Sequence, residues 1–235
     1  MSKMAFVYPG QGVQNPGMGA DFYKESKEAE QIYNEAESIL DFDIKKVCFE
    51  ENDLINNTEY TQAALVTTYL AITGEVIKRE IFPDVTAGLS LGEYGAICVA
   101  GGMNEKEAIS LVRKRGIYMN NAVPEGFGGM TAVLGLNKED IDNVLREKDG
   151  VSVANYNCPG QIVITGSVEA IESSVPDLKK LGARCVKLKV RGPFHSPYLK
   201  EAGEKLGRDL EKVTFNNLSI PYVSNVTGEY VDDIK

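Results

Sequence analysis

Apolar and polar positions along this chain fall into short apolar runs that alternate with stretches of helical spacing. Residues 4–8 form a brief apolar run that ends at Pro9-Gly10-Gln11-Gly12, which predicts a strand entering a turn. Residues 26–38 have helical periodicity. A longer helix is expected from Thr58, read as its N-cap, to about Arg79, with Ala63, Val66, Thr67, Leu70, Thr73 and Ile77 on its apolar face. Residues 84–88 read as a strand and 93–100 as a helix. Asn104, with Glu107 three residues on, has the form of a capping pair for a further helix carrying Ile109, Val112, Gly116 and Met119. Strand followed by helix, repeated, predicts an α/β fold with a largely parallel sheet.

The pattern changes after Pro124. Residues 130–134 read as a strand, 137–147 as a helix capped by Asn137, and 151–154 and 161–165 as two strands. A helix capped by Ser167 through Leu181 and a strand over 183–190 complete the set. This βαββαβ order is that of a ferredoxin-like unit. The expected organisation is therefore a body of residues 1–121 and 192–235 with an inserted subdomain of residues 122–191. The body resumes with a helix near 198–210 and a strand near 219–223. Only three body strands are evident, few for a doubly wound sheet, so a further C-terminal part of the body is expected beyond this chain.

Composition narrows the function classes. The chain has 235 residues, 43% of them hydrophobic and 25% charged, as in soluble globular proteins. Its net charge of −9 argues against nucleic-acid binding. No apolar run is long enough to span a membrane, and the apolar part of the N-terminus is too short for a signal peptide, so a cytoplasmic protein is expected. The four cysteines are scattered without a Cys-x-x-Cys pair, which reads as reduced thiols and no metal site. Without a secretion signal, the Asn-x-Ser/Thr triplets at Asn56, Asn217 and Asn225 carry no glycosylation meaning. An acidic partner would need a local basic patch. Lys179, Lys180, Arg184, Lys187, Lys189 and Arg191 form one, with Cys185, Lys187, Lys189 and Arg191 on a period-two face. It reads either as a docking strip or as a lysine-protected strand edge.

The candidate chemistry centres on Gly88-Leu89-Ser90-Leu91-Gly92, set between a predicted strand and a predicted helix. Strand, sharp turn and helix are the context of a nucleophile elbow, with backbone N–H groups at the helix N-terminus aimed at an oxyanion. A serine hydroxyl needs a base. If that base is an imidazole it is His195, because the chain has one histidine.

Five segments combine with this reading. They are Pro9-Gly10-Gln11-Gly12-Val13-Gln14, Gly88 through Tyr94, Arg113-Lys114-Arg115-Gly116, Asn155 through Gly166, and Gly192-Pro193-Phe194-His195-Ser196-Pro197. In order and over essentially the whole chain they resemble the malonyl-CoA:acyl-carrier-protein transacylases, within the acyltransferase family of fatty-acid and polyketide synthesis. The resemblance implies an α/β-hydrolase-like parallel-sheet body with an inserted ferredoxin-like subdomain. It implies Ser90 as the nucleophile that takes a malonyl group from malonyl-CoA and passes it to the phosphopantetheine thiol of acyl carrier protein. His195 is then the base, and the N–H groups of Gln11 and Leu91 form the oxyanion hole. Arg115 grips the malonyl carboxylate, and Phe194 narrows the space beside the acyl α-carbon against methylmalonyl groups.

Met119 and Met130 either line the same pocket or serve the core. Asn155 and Gln161, in the family's subdomain loop, either face the cleft or bond locally to backbone. No permanently bound cofactor is implied, and a monomer is expected. Two departures stand out: Leu89 replaces the histidine frequent before the family's serine, and no acidic residue is placed to orient His195, so a Ser–His dyad is expected. The rival readings are a serine thioesterase or esterase using the same dyad and a non-catalytic carrier-protein scaffold. Arg115 and the Gly10-Gln11-Gly12 loop favour transfer.

Overall fold

In chain order the computed structural model, which describes residues 3–233, runs β1 (Ala5–Tyr8), α1 (Ala20–Glu25), α2 (Lys27–Ile39), α3 (Ile44–Phe49), α4 (Thr58–Lys78), β2 (Val85–Gly88), α5 (Gly92–Val99) and α6 (Glu105–Asn120). It continues with β3 (Gly128–Leu134), α7 (Lys138–Arg146), β4 (Val151–Cys158), β5 (Gln161–Ser167), α8 (Val168–Lys180), β6 (Arg184–Lys187), α9 (Lys200–Leu210), β7 (Tyr222–Val223) and β8 (Tyr230–Val231). Met1, Ser2, Ile234 and Lys235, the ends of the expected body, lie outside the described residues. The chain divides into two compact units. One holds the residues up to Ile117 and from Leu206 onward; the other is Tyr118–Lys205.

The first unit contains a four-stranded sheet in the order β1-β2-β7-β8. β1 and β2 run parallel with Ala5 opposite Val85 and Tyr8 opposite Gly88, and β7 continues the parallel set. The expected strand over 219–223 is only Tyr222–Val223, and the unpredicted β8 turns back antiparallel to it. Two-residue strands leave too little apolar pattern to read.

Helix α4 is the centre of this unit. Ala63, Ala64, Leu65, Val66, Leu70 and Ala71 are all buried, so the helix is enclosed on every side rather than along one stripe. Its N-cap is Asn57, in extended geometry, and not Thr58. Thr58 is the first helical residue, and its hydroxyl donates instead to the side-chain oxygen of Gln11. Asn104 behaves as expected: its Oδ1 accepts from the Glu107 N–H at 2.9 Å. A Cβ on Gly116 would lie 2.7 Å from the Thr58 carbonyl oxygen, so α6 passes the start of α4 at backbone distance.

The second unit is a four-stranded antiparallel sheet in the order β4-β5-β3-β6, connected as βαββαβ. Asn137 and Ser167 cap α7 and α8 as predicted, accepting from Asp140 N–H at 2.9 Å and Ala170 N–H at 3.2 Å. Val133, Ile162 and Ile164 pack with Ile141 of α7 and Ile171 and Leu178 of α8. Alternate residues of the same strands, Met130 and Val163, turn to the other face and cluster with Met119 and Phe194.

This second cluster explains why the division falls at Tyr118–Lys205 rather than at 122–191. The returning segment packs on the smaller sheet. Phe194 and Leu199 join its cluster, and Tyr198 meets Phe127 edge-on at 4.9 Å. The 198–210 helix is accordingly split into a 3₁₀ turn, Pro197–Leu199, and α9.

The basic strip is not one face. β6 ends at Lys187, short of the predicted 190, and Cys185 packs inward beside the α7/α8 core. Lys180 pairs with Asp177 at 2.9 Å and Arg191 with Glu125 at 3.6 Å, which neutralises part of it. Among the described residues no helix is long and apolar enough to cross a membrane.

Candidate active site

The Ser90 turn is built as tightly as its sequence requires. β2 ends at Gly88, α5 starts at Gly92, and Ser90 between them has φ 54°. That left-handed conformation costs a serine about 1–2 kcal/mol and persists only where the surroundings enforce it. Here a Cβ on Gly88 would lie 2.1 Å from the Gly92 carbonyl carbon, and one on Gly92 would lie 2.2 Å from the Tyr8 carbonyl oxygen. Side chains at either position would push the turn apart. The Leu89 N–H donates to Tyr8 O at 3.0 Å, which seats the elbow on the end of β1. The Ser90 N–H donates to Asn225 Oδ1 at 2.7 Å.

Beside the elbow lies the turn that follows β1. Gly10 is close enough that a Cβ there would sit 3.2 Å from the Leu89 carbonyl oxygen. The Gln11 side-chain oxygen accepts from the Thr58 hydroxyl, which ties this turn to the start of α4. Neither Gln11 nor Leu91, the fully buried N-cap position of α5, uses its N–H in a hydrogen bond among the described residues. An unspent donor at a helix N-terminus, as at Leu91, is of the kind that can hold an oxyanion.

The three consecutive basic residues of α6 do three different things. Arg113 is saturated. Its Nε and Nη2 donate to the two Asp41 carboxylate oxygens at 2.8 and 3.0 Å, and Nη1 donates to Glu59 O at 2.6 Å. Its guanidinium carbon lies 4.9 Å from the Phe42 centroid and 4.8 Å from the Tyr60 centroid, against the edge-to-face pair that these two rings form. Lys114 reaches Asp209 at 3.0 Å.

Arg115 enters the site. Nη2 donates to Ser90 Oγ at 3.0 Å and Nη1 to the Gln62 side-chain oxygen at 2.6 Å. Both partners are neutral, and among the described residues no carboxylate lies within ion-pair distance of Arg115. Burial pulls its pKa below the ordinary arginine value, with Tyr94 and Glu93 opposing; the group remains a cation. Glu93, half-buried in the first turn of α5, has its carboxyl raised by burial, while its bond from the Asn225 N–H and the Arg115 charge act the other way. The result is a buried cation that has no carboxylate in ion-pair contact among the described residues and lies beside a serine hydroxyl.

The remaining expected residues lie in the second unit. His195 also has positive φ, 59°, and follows Phe194, which is buried against Met119, Met130 and Val163. Asn155 and Gln161 are not in a loop. Asn155 is in β4 opposite Val163, Gln161 opens β5, and only Pro159 and Gly160 lie between the strands. The Gln161 side-chain oxygen accepts from Asn157 at 3.4 Å.

Three contributors escaped the sequence reading. Gln62 is wholly buried beside an apolar run, which is itself the signal of an amide with a specific partner. Asn225 stands in a triplet legible only as a glycosylation pattern. Glu93 was part of a motif without a role. No group of three or more His, Cys, Asp or Glu side chains among the described residues is arranged to hold a metal ion.

Residues 5–233 match the acyl transferase domain family. The malonyl CoA-acyl carrier protein transacylase of Bacillus subtilis (strain 168) is 41% identical over 239 residues, covering 99% of this chain and 75% of the relative. The crystal structure of that transacylase from Clostridium perfringens ATCC 13124 superposes with a TM-score of 0.93 at 40% identity, covering 98% of this chain and 74% of the other. A malonyl-transacylase in complex with its holo type II polyketide synthase acyl-carrier protein gives 0.93 at 38% identity, over 99% and 77%. The chain belongs to the acyl transferase domain family.

Proposed function

We propose that this chain moves a malonyl group from malonyl-CoA to the phosphopantetheine thiol of acyl carrier protein through a malonyl-serine ester. The observation that carries the assignment is the buried Arg115 guanidinium, 3.0 Å from Ser90 Oγ and without a carboxylate in ion-pair contact among the described residues. In a malonyl ester the free carboxylate lies only two carbon–carbon bonds beyond the acyl carbon. A guanidinium already touching the ester oxygen is therefore within reach of it, and can bind it with two parallel charge-assisted hydrogen bonds.

Ser90 Oγ attacks the thioester carbonyl and gives its proton to His195, the chain's sole histidine. The N–H groups of Gln11 and Leu91 hold the oxyanion. Collapse breaks the C–S bond, and the coenzyme A thiolate leaves with the proton from His195. The carrier-protein thiol then gives its proton to His195 and attacks the ester, and Ser90 Oγ leaves with that proton restored. Phe194 limits the space at the α-carbon, with Met119 and Met130 beside it. Asn155 and Gln161 are assigned to substrate binding on the resemblance of their segment.

The sheet order and the βαββαβ connection support an α/β-hydrolase-like body with an inserted ferredoxin-like subdomain. The family relative in complex with an acyl-carrier protein supports that partner. In this reading the enzyme works as a cytoplasmic monomer without a resident cofactor. Initial rates measured over a grid of malonyl-CoA and holo acyl carrier protein concentrations test the mechanism. Parallel double-reciprocal lines are expected; intersecting lines would contradict a covalent enzyme intermediate.

A further inference from the structure

A closed ring of hydrogen bonds surrounds the elbow from outside its own motif. The Ser90 N–H donates to Asn225 Oδ1 at 2.7 Å, the Asn225 N–H donates to Glu93 Oε1 at 2.8 Å, and the Glu93 N–H donates to Ser90 O at 3.2 Å. Two of these bonds join residues more than 130 positions apart in sequence.

We infer that Asn225 is a positioning residue for the nucleophile, holding Ser90 in its left-handed conformation and reserving the oxyanion site for Gln11 and Leu91. The inference rests on the acyl-transfer reading above and deepens it.

Three observations support it. Ser90 occupies a conformation that a serine leaves unless held, and its φ of 54° is matched among non-glycine described residues only at Glu80 and His195. Its N–H is one of three consecutive donors where the elbow enters α5, with those of Leu91 and Gly92. Gly92 spends its own on Leu89 O, and Asn225 takes that of Ser90, which leaves Leu91 unspent. Finally, Asn225 is itself anchored. It sits in a turn where the Ser224 N–H donates to Glu229 O at 3.0 Å and the Gly228 N–H donates to Ser224 O at 2.9 Å. The Val226 N–H adds a bond to Ser224 Oγ at 3.2 Å. The amide oxygen is therefore presented by a stiff turn, and Glu93 fixes that turn against the helix that follows the serine.

The test is single-turnover release of coenzyme A from malonyl-CoA by Asn225→Ala, Asn225→Asp, Glu93→Ala and Glu93→Gln, with acetyl-CoA run in parallel. Asn225→Ala is expected to slow malonyl and acetyl loading together by about 10- to 100-fold, the scale of a misplaced reacting atom, with KM for malonyl-CoA unchanged. Asn225→Asp and Glu93→Gln keep an acceptor oxygen in place and should each recover at least half of the logarithmic loss of the matching alanine variant. Wild-type-rate loading by Asn225→Ala would overturn the inference, as would equal loss in all four variants in step with lost thermal stability. A selective loss of malonyl over acetyl loading would also overturn it, because it would place Asn225 in substrate recognition. Failure of the unmutated protein to load either group would overturn the acyl-transfer reading instead.

Discussion

Arg115 donates a hydrogen bond directly to the hydroxyl oxygen of Ser90, at 3.0 Å. One side chain thus touches the serine hydroxyl and, with no carboxylate in ion-pair contact among the described residues, offers the charge that the proposed acyl carboxylate would meet. In the proposed reading the malonyl carboxylate and the reacting hydroxyl meet the same guanidinium, whose Nη1 donates to the buried Gln62 side-chain oxygen at 2.6 Å.

Arg115→Ala is predicted to lower malonyl loading by about 100-fold or more, since an unpartnered carboxylate in a desolvated site costs several kcal/mol. Acetyl loading should fall far less. Arg115→Lys should be intermediate, because an ammonium supplies charge without the planar fork. Single-turnover loading with both thioesters checks this; equal losses for the two would refute the carboxylate clamp.

Arg113 has the opposite job. It packs against the paired Phe42 and Tyr60 rings and is bound through two hydrogen bonds by Asp41, so Arg113→Ala should destabilise the fold by about 2 kcal/mol or more, measured by urea titration. The bond from Arg113 holds the Asp41 carboxyl below the usual carboxylate range. A folded-state value below the unfolded one means that the pair stabilises the fold above the unfolded value, near 3.9, and that this contribution is lost as pH falls through the folded value. The Asp41 side chain is 67% exposed, so the effect should stay at or below about 1 kcal/mol. Asp41→Ala should shrink the stability lost on acidifying below about pH 4; an unchanged acid limb would contradict the pairing.

Phe194 is 6% exposed among Met119, Met130 and Val163. Phe194→Ala is predicted to cost about 3 kcal/mol of stability as a core truncation. If the ring also guards the acyl α-carbon, the variant should raise methylmalonyl loading relative to malonyl. Competition between the two thioesters, read as the ratio of acylated products, decides whether the ring guards selectivity or only fills the core.

What was legible in this sequence is what local chemistry determines. Asn137 and Ser167 cap their helices because a short polar side chain satisfies an N–H three residues ahead whatever surrounds it. The Ser90 elbow was legible because Gly88 and Gly92 are demanded by backbone contacts inside the motif and at the end of β1. Thr58 misled because a threonine before a helical run can cap it, yet here its hydroxyl is claimed by Gln11, 47 positions away. Asn225 and Gln62 were missed for the same reason: their partners, Ser90 and Arg115, are set by the fold and not by spacing. Residues 192–205 were expected in the body and fall in the smaller unit because only packing, with Phe194 and Tyr198 on the smaller sheet, decides where a connecting segment belongs.

Intact-mass spectrometry after mixing with malonyl-CoA tests the central claim most directly. The account predicts one malonyl adduct, mapped to Ser90, absent from Ser90→Ala, stable in buffer and discharged when holo acyl carrier protein is added. Rapid loss of the adduct to water without carrier protein, or an adduct that Ser90→Ala retains, would contradict it.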